Sequence, residues 1–382
     1  MNGIRIPFNR SSLVGNEQTY IAQAMKIGQI AGDQTFGRKC EGVLSQCLGG
    51  SRTLLTTSCT HALEMAALLL GLGPGDEVIV PSFTFVSTAN AFALRGARPV
   101  FADVRPHDLN IDPESVERLV GPNTRAIVVV HYAGVSCEME SILTIARGHG
   151  IPVVEDNAHG LLGTWQGRPL GSFGCLATQS FHETKNFTCG EGGALVVNER
   201  GLVERAEILR EKGTDRSRFF RGQVDKYTWV DLGSSWVISD VLAAFLFAQL
   251  ERREEIQAQR RMLWTRYDRE LASWAARQGV RTPVVPEGAG PSWHMYYLLM
   301  PSLEARQAFI AHLRERGILA VFHYLPLHLS EMGRRYGGRP GACPVTEDVS
   351  DRLVRLPFYL ALSESEQTEV IEAVRGFDCG TR

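Results

Sequence analysis

Between about residues 53 and 200 the chain alternates short runs that are apolar at every position with stretches of helix-forming residues. This alternation restricts the fold more than any other feature. Ala126-Ile127-Val128-Val129-Val130 is the clearest run, and Glu77-Val78-Ile79-Val80, residues 99–104 and Ile151-Pro152-Val153-Val154 resemble it. A strand with one wet face alternates polar and apolar residues; one that is apolar throughout is buried on both faces. The intervening segments are expected to be helices over 61–72, 86–94, 113–120 and 139–149. Gly73-Pro74-Gly75-Asp76 stops the first and Asp112 is a candidate N-cap for the third. The pattern predicts an α/β fold, a mainly parallel sheet covered by helices on each side. Ligands of such sheets sit beyond the carboxyl ends of the strands.

The chain has 382 residues, which suggests one large and one smaller domain. We expect a large domain over 1–250, including the N-terminal segment, and a smaller C-terminal α/β domain over 251–382. A charged helix from about 239 to 268, containing Glu251-Arg252-Arg253-Glu254-Glu255, would connect them. Strands are expected near 296–300 and 320–323, and a loop over 284–291. A net charge of −2 gives no support for nucleic-acid or membrane-surface binding. No apolar run is long enough for a membrane helix. The eight cysteines form no CxxC pair, and the start, Met1-Asn2-Gly3-Ile4-Arg5-Ile6-Pro7, lacks a signal-peptide pattern. Reduced thiols in the cytoplasm are therefore expected. No clustered His and carboxylate set suggests a metal; His323…His328 is a weak pair.

The chemistry centres on Lys185, in Ser180-Phe181-His182-Glu183-Thr184-Lys185-Asn186, followed by Gly190-Glu191-Gly192-Gly193. Upstream, the strand-like 151–154 ends in Glu155-Asp156-Asn157-Ala158-His159. A buried strand ending in an acid, then a segment ending in a lysine, suggests a pyridoxal-phosphate (PLP) site. That cofactor needs an amine to hold it as a Schiff base and a carboxylate to keep its ring nitrogen protonated. Asp156 is the candidate carboxylate. His159, three residues on, is placed to reach the phenolic oxygen, and Phe85, beyond the strand at 77–80, to stack on the ring. Ser58 and Thr60 immediately precede a helix whose free N–H groups suit a phosphate. Each feature alone has a plainer explanation: a helix cap, a loop carboxylate, a structural histidine, a core aromatic, a surface lysine. Their co-occurrence favours the cofactor.

Ser58-x-Thr60-x-Ala62, Pro81-Ser82-Phe83-Thr84-Phe85, Glu155-Asp156-x-Ala158-His159 and the Lys185 segment resemble the DegT/DnrJ/EryC1/StrS sugar aminotransferases. The resemblance runs from Ile6-Pro7-Phe8-Asn9 to Leu356-Pro357-Phe358-Tyr359. Glu211-Lys212-Gly213-Thr214, residues 220–229 and Phe322-His323-Tyr324 look like the dTDP-4-amino-4,6-dideoxygalactose transaminase branch. It implies a PLP-dependent, aspartate-aminotransferase-like (fold type I) homodimer, or a dimer of dimers, with active sites shared across the interface. Lys185 would be the Schiff-base lysine and Asp156 the ring-nitrogen partner. Thr60, the His61 backbone and Ser180 would hold the phosphate. Ser235 would reach it from the other subunit, where many relatives have asparagine.

The expected reaction moves an amino group from L-glutamate to C4 of a nucleotide-linked, dTDP-type 4-keto-6-deoxyhexose, with Lys185 shuttling the proton. Arg218 and Arg221, in a loop dense with basic and aromatic residues, are candidates for the nucleotide. A solvated loop or dimer contact explains them equally well. His323 and Tyr324 are candidates for the sugar. A 3-keto-sugar aminotransferase of the same family and a non-catalytic PLP-binding regulator are the alternatives. Residues 71–75 end a helix instead of opening one after a strand, which argues against a dinucleotide oxidoreductase.

Overall fold

The computed structural model describes residues 3–380, so Met1 and Asn2 of the N-terminal reading lie outside the described residues. The strands are β1 (Arg52–Thr56), β2 (Glu77–Pro81), β3 (Arg98–Ala102), β4 (Thr124–Val130), β5 (Val153–Asp156), β6 (Thr164–Trp165), β7 (Arg168–Pro169), β8 (Leu176–Ser180), β9 (Gly193–Val197), β10 (Ala289–Gly290), β11 (Tyr297–Leu299), β12 (Val321–Phe322) and β13 (Leu353–Arg355). Seven form the main sheet, in the order β1-β9-β8-β5-β4-β2-β3. β9 alone runs against the direction of the other six. The carboxyl ends of β1, β5 and β8 therefore share one edge of the sheet.

The helices of the first part are α1 (Glu17–Ile27), α2 (Thr35–Cys47), α3 (Cys59–Leu69), α4 (Ser87–Ala93), α5 (Pro113–Leu119), α6 (Met139–His149), α7 (Val203–Arg210), α8 (Arg216–Phe220) and α9 (Asp240–Glu251). They cover both faces of the sheet, as the unbroken apolar runs require. In β4, Ala126 and Val128 enter the core beneath α3 and α4, while Ile127 and Val129 enter the core beneath α5 and α6. Each fully buried Val or Ile contributes roughly 1.5–3 kcal/mol. Asp112 caps α5 as expected, accepting from the N–H groups of Glu114 and Ser115.

Two helix boundaries differ from expectation. The helix expected over 61–72 runs from Cys59 to Leu69. Ser58 accepts the His61 N–H at 3.1 Å, which moves the start upstream, and Gly71, at φ 67°, turns the chain before Leu72. The connector expected over 239–268 is two helices. Arg252 (φ −98°, ψ 18°) separates α9 from α10 (Arg253–Gln278), and α10 continues to a left-handed Gly279. The break falls where the chain changes cores: α9 packs on α1 and α2, whereas α10 gives Leu263, Tyr267, Leu271 and Trp274 to a second cluster.

That second cluster surrounds the small sheet β11-β13-β12 with α11 (Leu303–Glu315) and α14 (Glu364–Arg375). Ile6 packs into it and bridges to Ile318, so the N-terminal segment crosses to this side. Asp103, after β3, accepts from the backbone N–H groups of Val345 and Thr346 and fixes the segment before β13 against the main sheet.

Candidate active site

At the shared carboxyl edge lies a cavity of about 600 Å³. Its floor is the turn from β1 into α3. The N–H groups of Cys59 and Thr60 fall in the first helical turn, where no intrahelical acceptor exists. A Cβ at Gly193 would sit 2.3 Å from the Cys59 nitrogen and the Ser58 carbonyl carbon, so β9 touches this turn only because residue 193 is glycine. Thr60 Oγ1 lies 2.8 Å from Ser87 Oγ at the start of α4. Thr60, Ser87 and Ser180 all line the cavity, and donors converging on a helix N-terminus make an anion cradle. His61 departs from expectation. Its N–H is taken by Ser58, its ring pairs with the Thr57 hydroxyl, and it does not line the cavity.

Asp156 ends β5 and is almost wholly buried. Burial raises its carboxyl pKa. The Thr88 hydroxyl, at 2.7 Å, and the Ala158 N–H, at 3.2 Å, oppose that rise. Two donors thus point at the carboxyl oxygens. Lys185 lines the same cavity. Burial pulls its pKa down to about 8, against an opposing pull from Cys59 and Asp156. Among the described residues no carboxylate lies within ion-pair distance of its amine, leaving a cation that is costly to keep and easily made neutral.

His159 lines the cavity with its Nδ1 buried and without a hydrogen-bond partner. It stacks on His294, ring centroids 4.2 Å apart and planes 15° from parallel. Burial holds both imidazoles well below their usual pKa, so both are neutral. His294 is tied to the side chain of Asn186, next to Lys185, at 2.8 Å. Phe85 lines the cavity half-exposed, with Tyr324 beside it at 6.3 Å between ring centroids. His323 lines it too and pairs with the Tyr132 hydroxyl at 3.1 Å.

The remaining expected residues lie elsewhere. Ser235 bridges to Glu211 outside the cavity. The basic loop is less free than its sequence suggests: Arg218 pairs with Glu204, and Arg221 with Glu207 at 2.7 Å. Neither arginine lines this chain's own cavity. Sequence reasoning missed Arg355, Thr88, Ser87 and His294. Arg355 left one signal, a charge inside Leu353-Val354-Arg355-Leu356-Pro357; Thr88 and Ser87 left none, because their partners Asp156 and Thr60 are 68 and 27 residues away.

This geometry offers an amine that is readily neutral, a buried carboxylate, an anion cradle and an orphan imidazole nitrogen around one space. Those are the groups a phosphorylated pyridine aldehyde needs. Residues 12–375 match the DegT/DnrJ/EryC1/StrS aminotransferase family. The chain belongs to that family. It is 34% identical over 336 residues to the spore coat polysaccharide biosynthesis protein SpsC of Bacillus subtilis, covering 86% of each chain. Among solved structures it is similar to the aminotransferase TlmJ of Streptoalloteichus hindustanus, with 33% identity, a TM-score of 0.87 and 98% of each chain covered. It is also similar to Spr1654 of Streptococcus pneumoniae in its PMP-form, with 26% identity, a TM-score of 0.90, and 97% and 98% of the two chains covered. The fold of this DegT-family aminotransferase is thus shared with its relatives nearly end to end.

Proposed function

We propose that this aminotransferase moves an amino group from L-glutamate to C4 of a nucleotide-linked 4-keto-6-deoxyhexose, of dTDP type, yielding a 4-amino-4,6-dideoxyhexose. The observation that carries the reading is Lys185: an amine with a pKa drawn to about 8 by burial, with no ion-pair partner among the described residues, in one cavity with Asp156. When bound, PLP supplies an electron sink for the charge left as a carbon–hydrogen bond breaks.

The protein's own residues do the rest. Cys59 and Thr60 N–H groups, with the hydroxyls of Thr60 and Ser180, grip the phosphate. Asp156, kept ionised by Thr88 and Ala158, holds the ring nitrogen's proton. The orphan Nδ1 of His159 faces the cavity as a neutral partner for the phenolic oxygen. Phe85 covers the ring. With the cofactor bound, Lys185 would take the α-proton from the amino donor in the first half-reaction and would give a proton to the sugar carbon in the second. Tyr324 and His323 present an aromatic wall and an imidazole to the hexose. Arg218 and Arg221, partly exposed in the loop that carries the outward-facing Phe220 and Trp229, serve the nucleotide at the active site of a second copy, and Ser235 joins its phosphate cradle.

An absorbance spectrum before and after excess L-glutamate, with Lys185→Ala in parallel, tests this. We expect the visible-edge band of bound PLP to give way to that of pyridoxamine phosphate, and the variant to fail to cycle. Subsequent dTDP-4-keto-6-deoxyglucose should restore the first band. A protein that does not bind added PLP refutes the reading. A band indifferent to every amino acid refutes the transamination.

A further inference from the structure

Asn186 follows Lys185 in a stretch that is neither helix nor strand, and both ends of its amide are engaged. Its Nδ2 donates to the Ser292 carbonyl at 2.7 Å, and its Oδ1 lies 2.8 Å from Nδ1 of His294. A carbonyl only accepts, so the amide nitrogen faces Ser292 and the amide oxygen faces His294. Nδ1 of His294 therefore carries the proton. Burial holds that imidazole well below its usual pKa, so the ring is neutral and its Nε2 is bare. The segment that meets Asn186 is itself fixed on several sides. Ser292 is wholly buried, donates its hydroxyl to the His159 carbonyl and its N–H to the Gly134 carbonyl. A Cβ at Gly134 would sit 1.9 Å from Ser292 Oγ, so the approach needs glycine. Arg260 of α10 donates to the carbonyls of Trp293 and His294. The His159 ring, by contrast, makes no hydrogen bond among the described residues. Its Nδ1 is buried without a partner, and the face of His294, 4.2 Å away and 15° from parallel, is what it lies on.

We infer that Asn186 and His294 are positioning residues that act as one unit. Asn186 fixes the root of the Lys185 side chain, and its hydrogen bond to His294 fixes the plane of the ring on which His159 lies. The inference rests on the aminotransferase reading above. Asn186 does not line the cavity, so it acts through its neighbours. Thr184, on the other side of Lys185, bonds to His182 within the same turn. Of the two residues flanking the lysine, Asn186 is thus the one whose side chain ties that turn to the body of the protein. A lysine side chain has four rotatable bonds, and the Lys185 amine has no ion-pair partner among the described residues to hold its tip. The reach of the amine is then set by where its main chain is anchored. Proton transfer between carbon atoms tolerates little error in that reach. His159 has the same need for a different reason: an imidazole free to turn about its χ2 would lose the phenolic oxygen, and the stack on His294 is what stops it. One amide therefore orients the base directly and the imidazole through a second ring.

Two substitutions at 294 separate the contacts. His294→Phe keeps a flat ring against His159 and removes the donor to Asn186. His294→Asn keeps a nitrogen near the place of Nδ1 and removes the ring. Asn186→Ala removes the other end of the hydrogen bond. Three quantities are measured: the rate and half-saturation of single-turnover conversion of PLP to pyridoxamine phosphate by L-glutamate, with and without deuterium at its α-carbon; the pH midpoint at which the visible band of bound PLP changes; and thermal unfolding of the cofactor-free proteins. His294→Phe and Asn186→Ala should slow the isotope-sensitive step about 10- to 100-fold, with half-saturation changed less than about twofold. His294→Asn should keep more of that rate and move the band's midpoint to higher pH, because a phenolic oxygen without its His159 partner holds the neighbouring proton more tightly. An unchanged rate in both His294→Phe and Asn186→Ala overturns the inference. So does a loss that all three variants share equally and that thermal stability follows, which is what packing alone gives. A midpoint unmoved in His294→Asn overturns the role assigned toward His159. If His294→Phe does not fold or hold PLP, Asn186→Ala set against His294→Asn gives the same separation. Failure of the unsubstituted protein to bind PLP or convert it with glutamate is seen first, and refutes the functional reading instead.

Discussion

Thr88→Val isolates the charge state of Asp156. Thr88 is fully buried at the second residue of α4, and its hydroxyl gives 2.7 Å to Asp156 Oδ2 while lying 2.9 Å from the Thr84 hydroxyl. Valine keeps the shape and removes the donor, leaving the Ala158 N–H at 3.2 Å as the carboxylate's support. A hydrogen bond to a charged group contributes about 1.5–3 kcal/mol. Its loss should raise the Asp156 pKa further, on top of the rise that burial already imposes. The sign follows from linkage. A carboxyl whose folded pKa exceeds its unfolded value lets the folded state hold the proton more tightly, so folding stability falls as pH rises through that range. The variant's extra penalty, about 1.5–3 kcal/mol without cofactor, is full above its raised pKa and vanishes once pH falls below the wild-type pKa, where both carboxyls are neutral. Thermal unfolding of the cofactor-free proteins across the acid range reads this directly, and the acid limb of the activity profile should move to higher pH. Thr88→Ser should restore both. A destabilisation equal at acid and neutral pH would mean that Thr88 acts through packing and not through the carboxylate.

Three further outcomes are expected. Covalent capture of PLP by the cofactor-free protein should accelerate with pH as the Lys185 amine loses its proton, with a midpoint near the value of about 8 that burial gives it; capture rates followed by absorbance and flat between pH 7 and 9 would contradict a desolvated lysine. Gly193→Ala would put a methyl 2.3 Å from the backbone of Ser58 and Cys59, so we expect about 1–3 kcal/mol of destabilisation in a denaturant titration and weaker PLP retention, whereas unaltered retention would show that the α3 terminus does not hold the phosphate. Arg218→Ala and Arg221→Ala should each raise the KM for the nucleotide sugar several-fold and leave the glutamate half-reaction unchanged; an unchanged sugar KM in both confines these arginines to their pairs with Glu204 and Glu207.

What the sequence disclosed depended on how far each group stands from its partners. The central strands were legible because burial on both faces leaves a local mark, an unbroken apolar run such as 126–130, and β5 carries Asp156 on its own last residue. Lys185 was legible for the same reason, standing between a strand and a glycine cluster that lets β9 touch α3. Helix ends were read less well, because Ser58 and Arg252 act through one hydrogen bond or one dihedral against a smooth background of helix formers. The ion pairs of the loop cations were not legible: Glu204 and Glu207 stand fourteen residues from Arg218 and Arg221 in each case, and only the turn from α7 to α8 brings them into contact.

Arg355 marks the other limit of sequence reading. In the sequence it is one arginine in a short apolar strand, which for an edge strand would mean a solvated side chain. Its strand is instead the middle of the small sheet, and the segments before it are pinned to the main sheet by Asp103 at Val345 and Thr346. Those contacts lie some 240 residues apart and set how closely the guanidinium approaches Lys185. The residues proposed to hold the cofactor stand at the ends of successive strands, where neighbouring residues suffice. The approach of Arg355 to the cavity is set instead by the packing of one sheet against the other. Since His323, Tyr324 and Arg355 reach the cavity from this side, substrate half-saturation should respond to substitutions such as Asp103→Asn, which loosen that packing without touching the cavity, while PLP affinity should not; glutamate half-saturation and PLP affinity measured on the same variant separate the two, and a parallel loss of both would show that the two sides of the cavity form one rigid frame.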